Sequence, residues 1–269
     1  MNIHPSAIVH PDAVIHPTVE IGPHTVIEQG VSIGEGTVVA SGCRIYRGTR
    51  LGRCNQVFHG CVLGCLPQDL GFDVRQETGL EIGDCNILRE GVNISRATSA
   101  ADPTRIGSHN YLMGNVHVGH DCRFGNHNIV VNGAVIGGHV QVAERVFISG
   151  LVAVHQFCRI GEFAMLAGLA KIVQDVPPYA MADGNPASLV GTNVVGLRRN
   201  GFTPRQRRTI KHAYRILYRS GLDIGKALER LEKEESSSEV AAIIEFFRTS
   251  RRGVLAQRRK RRKTGIVEG

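Results

Sequence analysis

An aliphatic or Phe residue returns at every sixth position through nearly all of residues 3–172 of this 269-residue chain. One phase runs Ile3, Val9, Ile15, Ile21, Ile27, Ile33, Val39, Ile45, Leu51, Val57 and Leu63 without a miss. After a break it resumes at Ile82, Leu88 and Ile94, then holds in steps of six from Ile106 through Val118, Ile136 and Val154 to Ile172. Neither the 3.6-residue period of a helix nor the 2-residue period of a strand explains it. A prism does. In a left-handed parallel β-helix each six-residue unit forms one flat side, three sides close a coil of about eighteen residues, and coils stack at roughly 4.8 Å. The expected fold is therefore an all-β left-handed parallel β-helix built from hexapeptide repeats, followed by an α-helical domain. In each unit the aliphatic residue points inward. Gly or a small polar residue often follows it (Ile21-Gly22, Ile33-Gly34, Leu51-Gly52), and a small residue stands four places on (Ala7, Ala13, Thr25, Thr37, Cys61), where a tight corner is expected.

The repeat divides the chain. Residues 1–190 read as the β-helix, 191–256 as the helical domain and 257–269 as a basic tail. Within the coils, residues 64–81 leave the repeat and return one residue out of phase. A prism cannot take up such a run without losing its inward face, so it must bulge outward as a loop, and Leu66-Pro67-Gln68-Asp69-Leu70-Gly71-Phe72 has the polar, Pro- and Gly-punctuated character of one. A second loop is expected near 96–105, where two units separate Ile94 from Ile106. The double proline Val176-Pro177-Pro178 is expected to end strand formation. Thr203-Pro204-Arg205-Gln206 then offers an N-cap, a Pro at the first helical position and a capping-box Gln. Two further helices are expected over about 223–235 and 237–251, capping one end of the solenoid.

The formal charge of +8 invites a nucleic-acid reading. Six of those charges lie in Arg258–Lys263, which leaves about +2 for everything else, so no nucleic-acid partner is expected. No secretory leader and no membrane-spanning stretch is visible, and the expected location is the cytoplasm. The seven cysteines follow the coil spacing rather than a disulfide or zinc pattern. Cys43 and Cys61, eighteen apart, should stack.

Histidine is the candidate for chemistry. His117, His120, His139 and His155 fall in consecutive coils, with separations of 19 from His120 to His139 and 16 from His139 to His155. Such spacings place the row on one side of the prism, where it could be a metal site, a general base or polar surface. No His-x4-His pair of the kind used by β-helix zinc enzymes is present. Asp121, directly after His120, could hold an imidazole in one tautomer and stabilise its cation.

The segments HVGHDC (117–122), GGHV (137–140), VHQFC (154–158), QDVPPY (174–179), PQDL (67–70) and GLRRNGF (196–202) resemble the UDP-N-acetylglucosamine 3-O-acyltransferases of lipid A biosynthesis, over about residues 3–255. The resemblance implies a homotrimer that moves an (R)-3-hydroxyacyl group from acyl carrier protein to the 3-hydroxyl of UDP-N-acetylglucosamine, with no cofactor and no metal. It implies His120 as general base, oriented by Asp121, and the Gly138 N–H as oxyanion donor. Asp69, beside Gln68, would contact the acyl 3-hydroxyl. His117, His139, His155 and Gln156 would surround the sugar and acyl groups, and Asn193 and Arg199 would face nucleotide or carrier. Gly168 would leave the acyl groove open to a long chain. Arg205, Arg207, Arg208, Lys211 and Arg215 would present a cationic face to the acidic carrier. Two family positions that usually carry basic residues are Gly71 and Asn200 here, which keeps a related UDP-amino sugar open as acceptor. The alternatives are the later N-acyltransferase of the same pathway, an acetyl-CoA-dependent β-helix acetyltransferase and a non-catalytic trimeric scaffold.

Overall fold

The computed structural model describes residues 2–257; the basic run Arg258–Lys263 lies outside them. The repeat folds into three sheets, the faces of a prism, with eleven, nine and eight strands among the described residues, parallel throughout except for the last strand of the first. The first face begins with Asn2–Ile3 and Glu20–Ile21, the second with Ile8–Val9 and Val26–Ile27, the third with Val14–Ile15 and Ser32–Ile33. Strands of one coil pair with those of the next at a separation of eighteen, as in Ile3 with Ile21. The inward positions form a continuous core in which Ile45, Leu63, Leu88, Ile94, Leu112, Ile136 and Leu166 are fully buried. Each such side chain contributes about 1.5–3 kcal/mol of burial.

Two expectations about the chain path need correction. The bend does not fall four places after the aliphatic residue; it falls at the third, where the backbone is left-handed, as at His24 (φ 57°), Gly36 (66°), Asp121 (59°) and His139 (59°). The fourth residue comes after the bend and points into the apex of the triangular interior, which has room only for small groups: Thr25, Thr37 and Cys61 are fully buried. Nor does the double proline end strand formation. Ala180–Gly184 pairs in parallel with Met165–Leu166 and turns back into Ala187–Thr192 as an antiparallel hairpin. The prolines occupy the corner before it, where no ladder donor is needed.

The two insertions are visible in the register. Leu51 pairs with Ile82, 31 residues on where a plain coil gives eighteen, so thirteen are inserted. Ile82 pairs with Ile106, 24 on, so six are inserted. Both leave the corner between the second and third faces: one between Val62–Cys65 and Leu80–Ile82, the other between Asn93–Ser95 and Thr104–Ile106.

Beyond the hairpin come α1 (Val194–Arg199), α2 (Pro204–Arg219), α3 (Ile224–Glu234) and α4 (Ser238–Thr249). Thr203 and Gln206 form the capping box of α2. The helices are tied to the last coils by polar contacts: Tyr214 donates to the Pro178 carbonyl, and the buried carboxylate of Asp175 accepts from the Arg159 N–H and the Ser250 hydroxyl, each at 2.8 Å.

Candidate active site

His120 and Asp121 lie at the second–third corner, between His117–Val118 and Arg123–Phe124. Adjacent side chains of an extended strand point opposite ways. Here the left-handed backbone of Asp121 turns the two together, and Nδ1 of His120 lies 2.6 Å from its carboxylate. Both side chains are only 12% exposed. An ionised carboxylate only accepts, so Nδ1 carries the proton and the Nε2 lone pair is free.

The six-residue insertion holds the carboxylate. Thr98 donates to it through both its N–H and its hydroxyl, each at 2.9 Å, while the Thr104 hydroxyl accepts from the Asp121 N–H at 2.8 Å. Burial pushes the Asp121 pKa up, but the hydrogen bonds from His120 and Thr98 outweigh it and hold the group below the usual carboxylate range.

Gly138 stands one coil on from His120, and a β-carbon there would fall 2.6 Å from Cε1 and 2.7 Å from Nε2 of the imidazole. The ring occupies the space a side chain would need. The neighbouring N–H groups of Gly137 and His139 donate to the carbonyls of Val154 and His120, whereas the Gly138 N–H has no backbone acceptor among the described residues. The same holds for Gln156, the equivalent position of the next coil. What marks Gly138 is therefore its contact with the imidazole.

The unequal spacings of 19 and 16 place His120, His139 and His155 at the second, third and first corner positions of successive coils. Nε2 of His139 is 3.4 Å from the Asp121 carboxylate, so one carboxylate serves two imidazoles. The His139 ring meets His120 edge-on at 5.1 Å and stacks on Phe157 at 4.5 Å. His117 bonds Asn93 at 3.0 Å, and burial, followed by the charge of His120, lowers its pKa and favours the neutral ring. His155 is exposed and faces Arg252 at 2.9 Å; Gln156 is exposed beside it.

Ligand atoms of His120, Asp121 and His139 lie within 4.8 Å of one another, a set that could hold a cation. A cation held through Nδ1 would break its 2.6 Å bond to Asp121, and any cation would compete with the Thr98 donors already aimed at the carboxylate. The arrangement favours acid–base work.

Other candidate residues stand apart. Gln68 and Asp69 are exposed on the thirteen-residue insertion, where Asp69 accepts from the Gly71 N–H at 2.8 Å in a tight turn. Arg75, a candidate replacement for the missing base at Gly71, is engaged by Asp73 at 2.8 Å. Gly168 lies at the first–second corner, a different edge of the prism. Asn193 caps α1, accepting from the Gly196 N–H at 3.0 Å and donating to the Phe163 carbonyl at 2.9 Å. Arg199 is exposed on α1, and Asn200 caps its C-terminal end.

Residues 12–47 match the bacterial transferase hexapeptide family, and residues 175–255 match domain 2 of UDP N-acetylglucosamine O-acyltransferase. The acyl-[acyl-carrier-protein]–UDP-N-acetylglucosamine O-acyltransferase of Janthinobacterium sp. (strain Marseille) is 47% identical over 259 residues, covering 94% of this chain and 98% of its own. The chain belongs to the UDP-N-acetylglucosamine O-acyltransferases. The acyltransferase of the same name from Myxococcus xanthus is 46% identical over 254 residues, with the same coverage of both chains. Among solved structures, the UDP-N-acetylglucosamine acyltransferase of Bacteroides fragilis superposes with a TM-score of 0.91 at 41% identity, over 94% of this chain and 99% of that one. That of Francisella novicida gives 0.92 at 36%, over 95% and 94%.

Within this acyltransferase, sequence reasoning missed Thr98, Thr104 and Asn93. Threonines flanking an insertion are a faint signal. Their role becomes visible only once the insertion has folded back onto the corner two coils after the longer loop.

Proposed function

We propose that this chain transfers an (R)-3-hydroxyacyl group from acyl carrier protein to the 3-hydroxyl of UDP-N-acetylglucosamine, the first step of lipid A biosynthesis. The observation that carries the reading is the buried His120–Asp121 pair with its free Nε2 lying against the Gly138 backbone. Nε2 takes the proton of the sugar hydroxyl as that oxygen attacks the thioester carbonyl, and Asp121 stabilises the imidazolium. The Gly138 N–H offers a donor to the tetrahedral oxyanion. Collapse breaks the carbon–sulfur bond, and the imidazolium returns its proton to the departing thiolate. General-base work of this kind contributes about 10²–10⁴-fold, and an oxyanion donor about 10²–10³-fold.

A homotrimer accounts for the scattered positions. Gly168 is on a different edge from His120, so one cleft lined by both requires a neighbouring copy. The exposed Arg205, Arg208, Lys211 and Arg215, with the half-buried Arg207, suit an acidic carrier protein. Arg208, Lys211 and Arg215 line a cavity of about 360 Å³ against the hairpin. A cytoplasmic setting is supported by seven free thiols, and no helix among the described residues is long and apolar enough to cross a membrane. A related UDP-amino sugar is the second reading, favoured by Gly71 and by the engagement of Arg75 with Asp73, which together leave the loop without a free basic group after Leu70. The test is transfer from 3-hydroxyacyl carrier proteins of graded length to UDP-N-acetylglucosamine and to its 3-amino analogue. Turnover with the hydroxyl acceptor that His120→Ala abolishes supports the leading reading; turnover with the amino acceptor alone overturns it.

A further inference from the structure

Two histidines of the row are held in opposite ways. The Asp121 carboxylate accepts from Nδ1 of His120 and leaves Nε2 with its lone pair. At His155 the neighbour of Nδ1 is instead the guanidinium of Arg252, with Nη2 at 2.9 Å. A guanidinium has five N–H donors and no acceptor, so Nδ1 of His155 supplies the lone pair and the proton sits on Nε2. The Gln156 carbonyl also approaches Nδ1, at 3.1 Å. That oxygen would favour a proton on Nδ1, but a proton there sets two donors against each other across the shorter contact. An imidazolium fails for the same reason. His155 is exposed, so its Nε2–H is a donor within reach of a substrate.

The segment that carries Arg252 is sewn to the last coil. After α4 the Ser250 hydroxyl donates to the Asp175 carboxylate at 2.8 Å. The Asp175 N–H then donates to the Gly253 carbonyl at 2.9 Å, and the Leu255 N–H to the Asp175 carbonyl at 3.0 Å. Nε of Arg252 donates to the Val173 carbonyl at 3.0 Å, which aims Nη2 at His155. This contact spans 97 residues of chain and joins the helical domain to the corner of the general base.

Val118 pairs with Ile136, and Ile136 with Val154. His155 therefore lies about two rungs, roughly 10 Å, beyond His120 along that corner. Its surroundings are polar. Arg252 lines, with His139, Phe157, Arg159 and Arg251, a cavity of about 660 Å³. The acidic side chain there, Asp175, is buried and its carboxylate is already engaged by the Arg159 N–H and Ser250. Three guanidinium groups and the exposed ring of Phe157 suit a nucleoside diphosphate better than a hydrocarbon chain.

We infer that Arg252 is a positioning residue for acyl transfer: it fixes His155 as the Nε2–H tautomer, which donates to an oxygen of the sugar nucleotide. The inference rests on the acyltransferase reading above. Both histidines act through Nε2, one as a base and one as a donor, and the charge of the neighbour at Nδ1 decides which.

The test has two arms, neither of which needs turnover. In a nitrogen NMR spectrum of the full chain with isotope-labelled histidine, the two ring nitrogens of His155 should resonate far apart, as in a single tautomer protonated on Nε2. In Arg252→Ala they should converge as tautomers exchange, and Arg252→Lys, which keeps a donor, should restore most of the separation; His155→Ala assigns the signals. In calorimetry without acyl donor, Arg252→Ala and His155→Ala should each weaken UDP-N-acetylglucosamine binding by about five- to tenfold, and the double variant should be no weaker than His155→Ala. Kinetics should show the same rise in KM with a smaller fall in kcat, about twofold. The inference is overturned if wild-type His155 carries its proton on Nδ1, if Arg252→Ala leaves the tautomer unchanged, or if the two losses of affinity add. A wild type that turns over neither acceptor overturns the proposed reaction instead, and the spectrum still decides whether Arg252 fixes His155.

Discussion

Two corners of the same prism use one backbone device for opposite ends. At both, the third residue after the inward aliphatic is left-handed and presents its side chain outward. Behind the third–first corner the following position is Asn55, Asn86, Asn110 and Asn128, a buried polar ladder that locks one coil to the next. Behind the second–third corner it is Cys122, Val140 and Cys158. There the polar bonds run outward instead, from Thr98 and His120 to Asp121. One corner spends its hydrogen bonds on holding the stack in register, the other on poising a carboxylate and an imidazole. Changes at the first should therefore be read in stability and changes at the second in rate.

His120→Ala should separate the two most sharply: kcat falls by about 10²–10⁴ while the circular dichroism and melting temperature stay near wild type. An unchanged rate would break the assignment of this corner to catalysis. Gly138→Ala places a β-carbon 2.6 Å from the imidazole, and the displaced ring should cost about 10² in kcat, measured alongside KM for each substrate. Asn86→Ala removes the amide donor to Asn55 and the acceptor of two bonds from Asn110. It leaves buried groups unpaired, at about 3 kcal/mol in denaturant unfolding, with turnover per folded chain unaltered. A loss of rate without a loss of stability would erase the contrast.

Thr98→Val should have the smallest effect. It deletes one donor to Asp121 and should lower kcat by about threefold while moving the acid loss of stability to higher pH. The sign follows from linkage: a carboxylate depressed on folding contributes stability that is present above its unfolded pKa, about 3.9, and is lost as pH falls through its folded value. Weakening Asp121's bonds raises that folded value, so acid loss begins at higher pH. Denaturant unfolding followed as a function of pH, compared with that of wild type, checks it.

Much of the fold was legible because a six-residue period has one geometrical solution, and each inward side chain repeats the evidence. The adjacency of His120 and Asp121 was legible directly, while the roles proposed for His120, Asp121 and Gly138 came from short motifs through their resemblance to an acyltransferase family. The corner was misplaced by one residue because small side chains and left-handed backbone are neighbouring requirements of the same bend. The strand after Pro177-Pro178 was missed because a proline forbids a ladder donor only where the ladder needs one. The asparagine ladder went unread since a single Asn in each coil resembles ordinary turn chemistry until the coils are stacked.

The sequence by itself determined the prism, its inward column, the two interruptions and the helical end, because those depend on periodicity and local capping. Only the tertiary structure decided that both insertions leave the corner that carries His120, and that Thr98 and Thr104 flank its carboxylate. It also decided that Gly138 is small because an imidazole fills its space. Those relations join residues one or more coils apart, and their distances are set by how the coils stack, which no local pattern encodes.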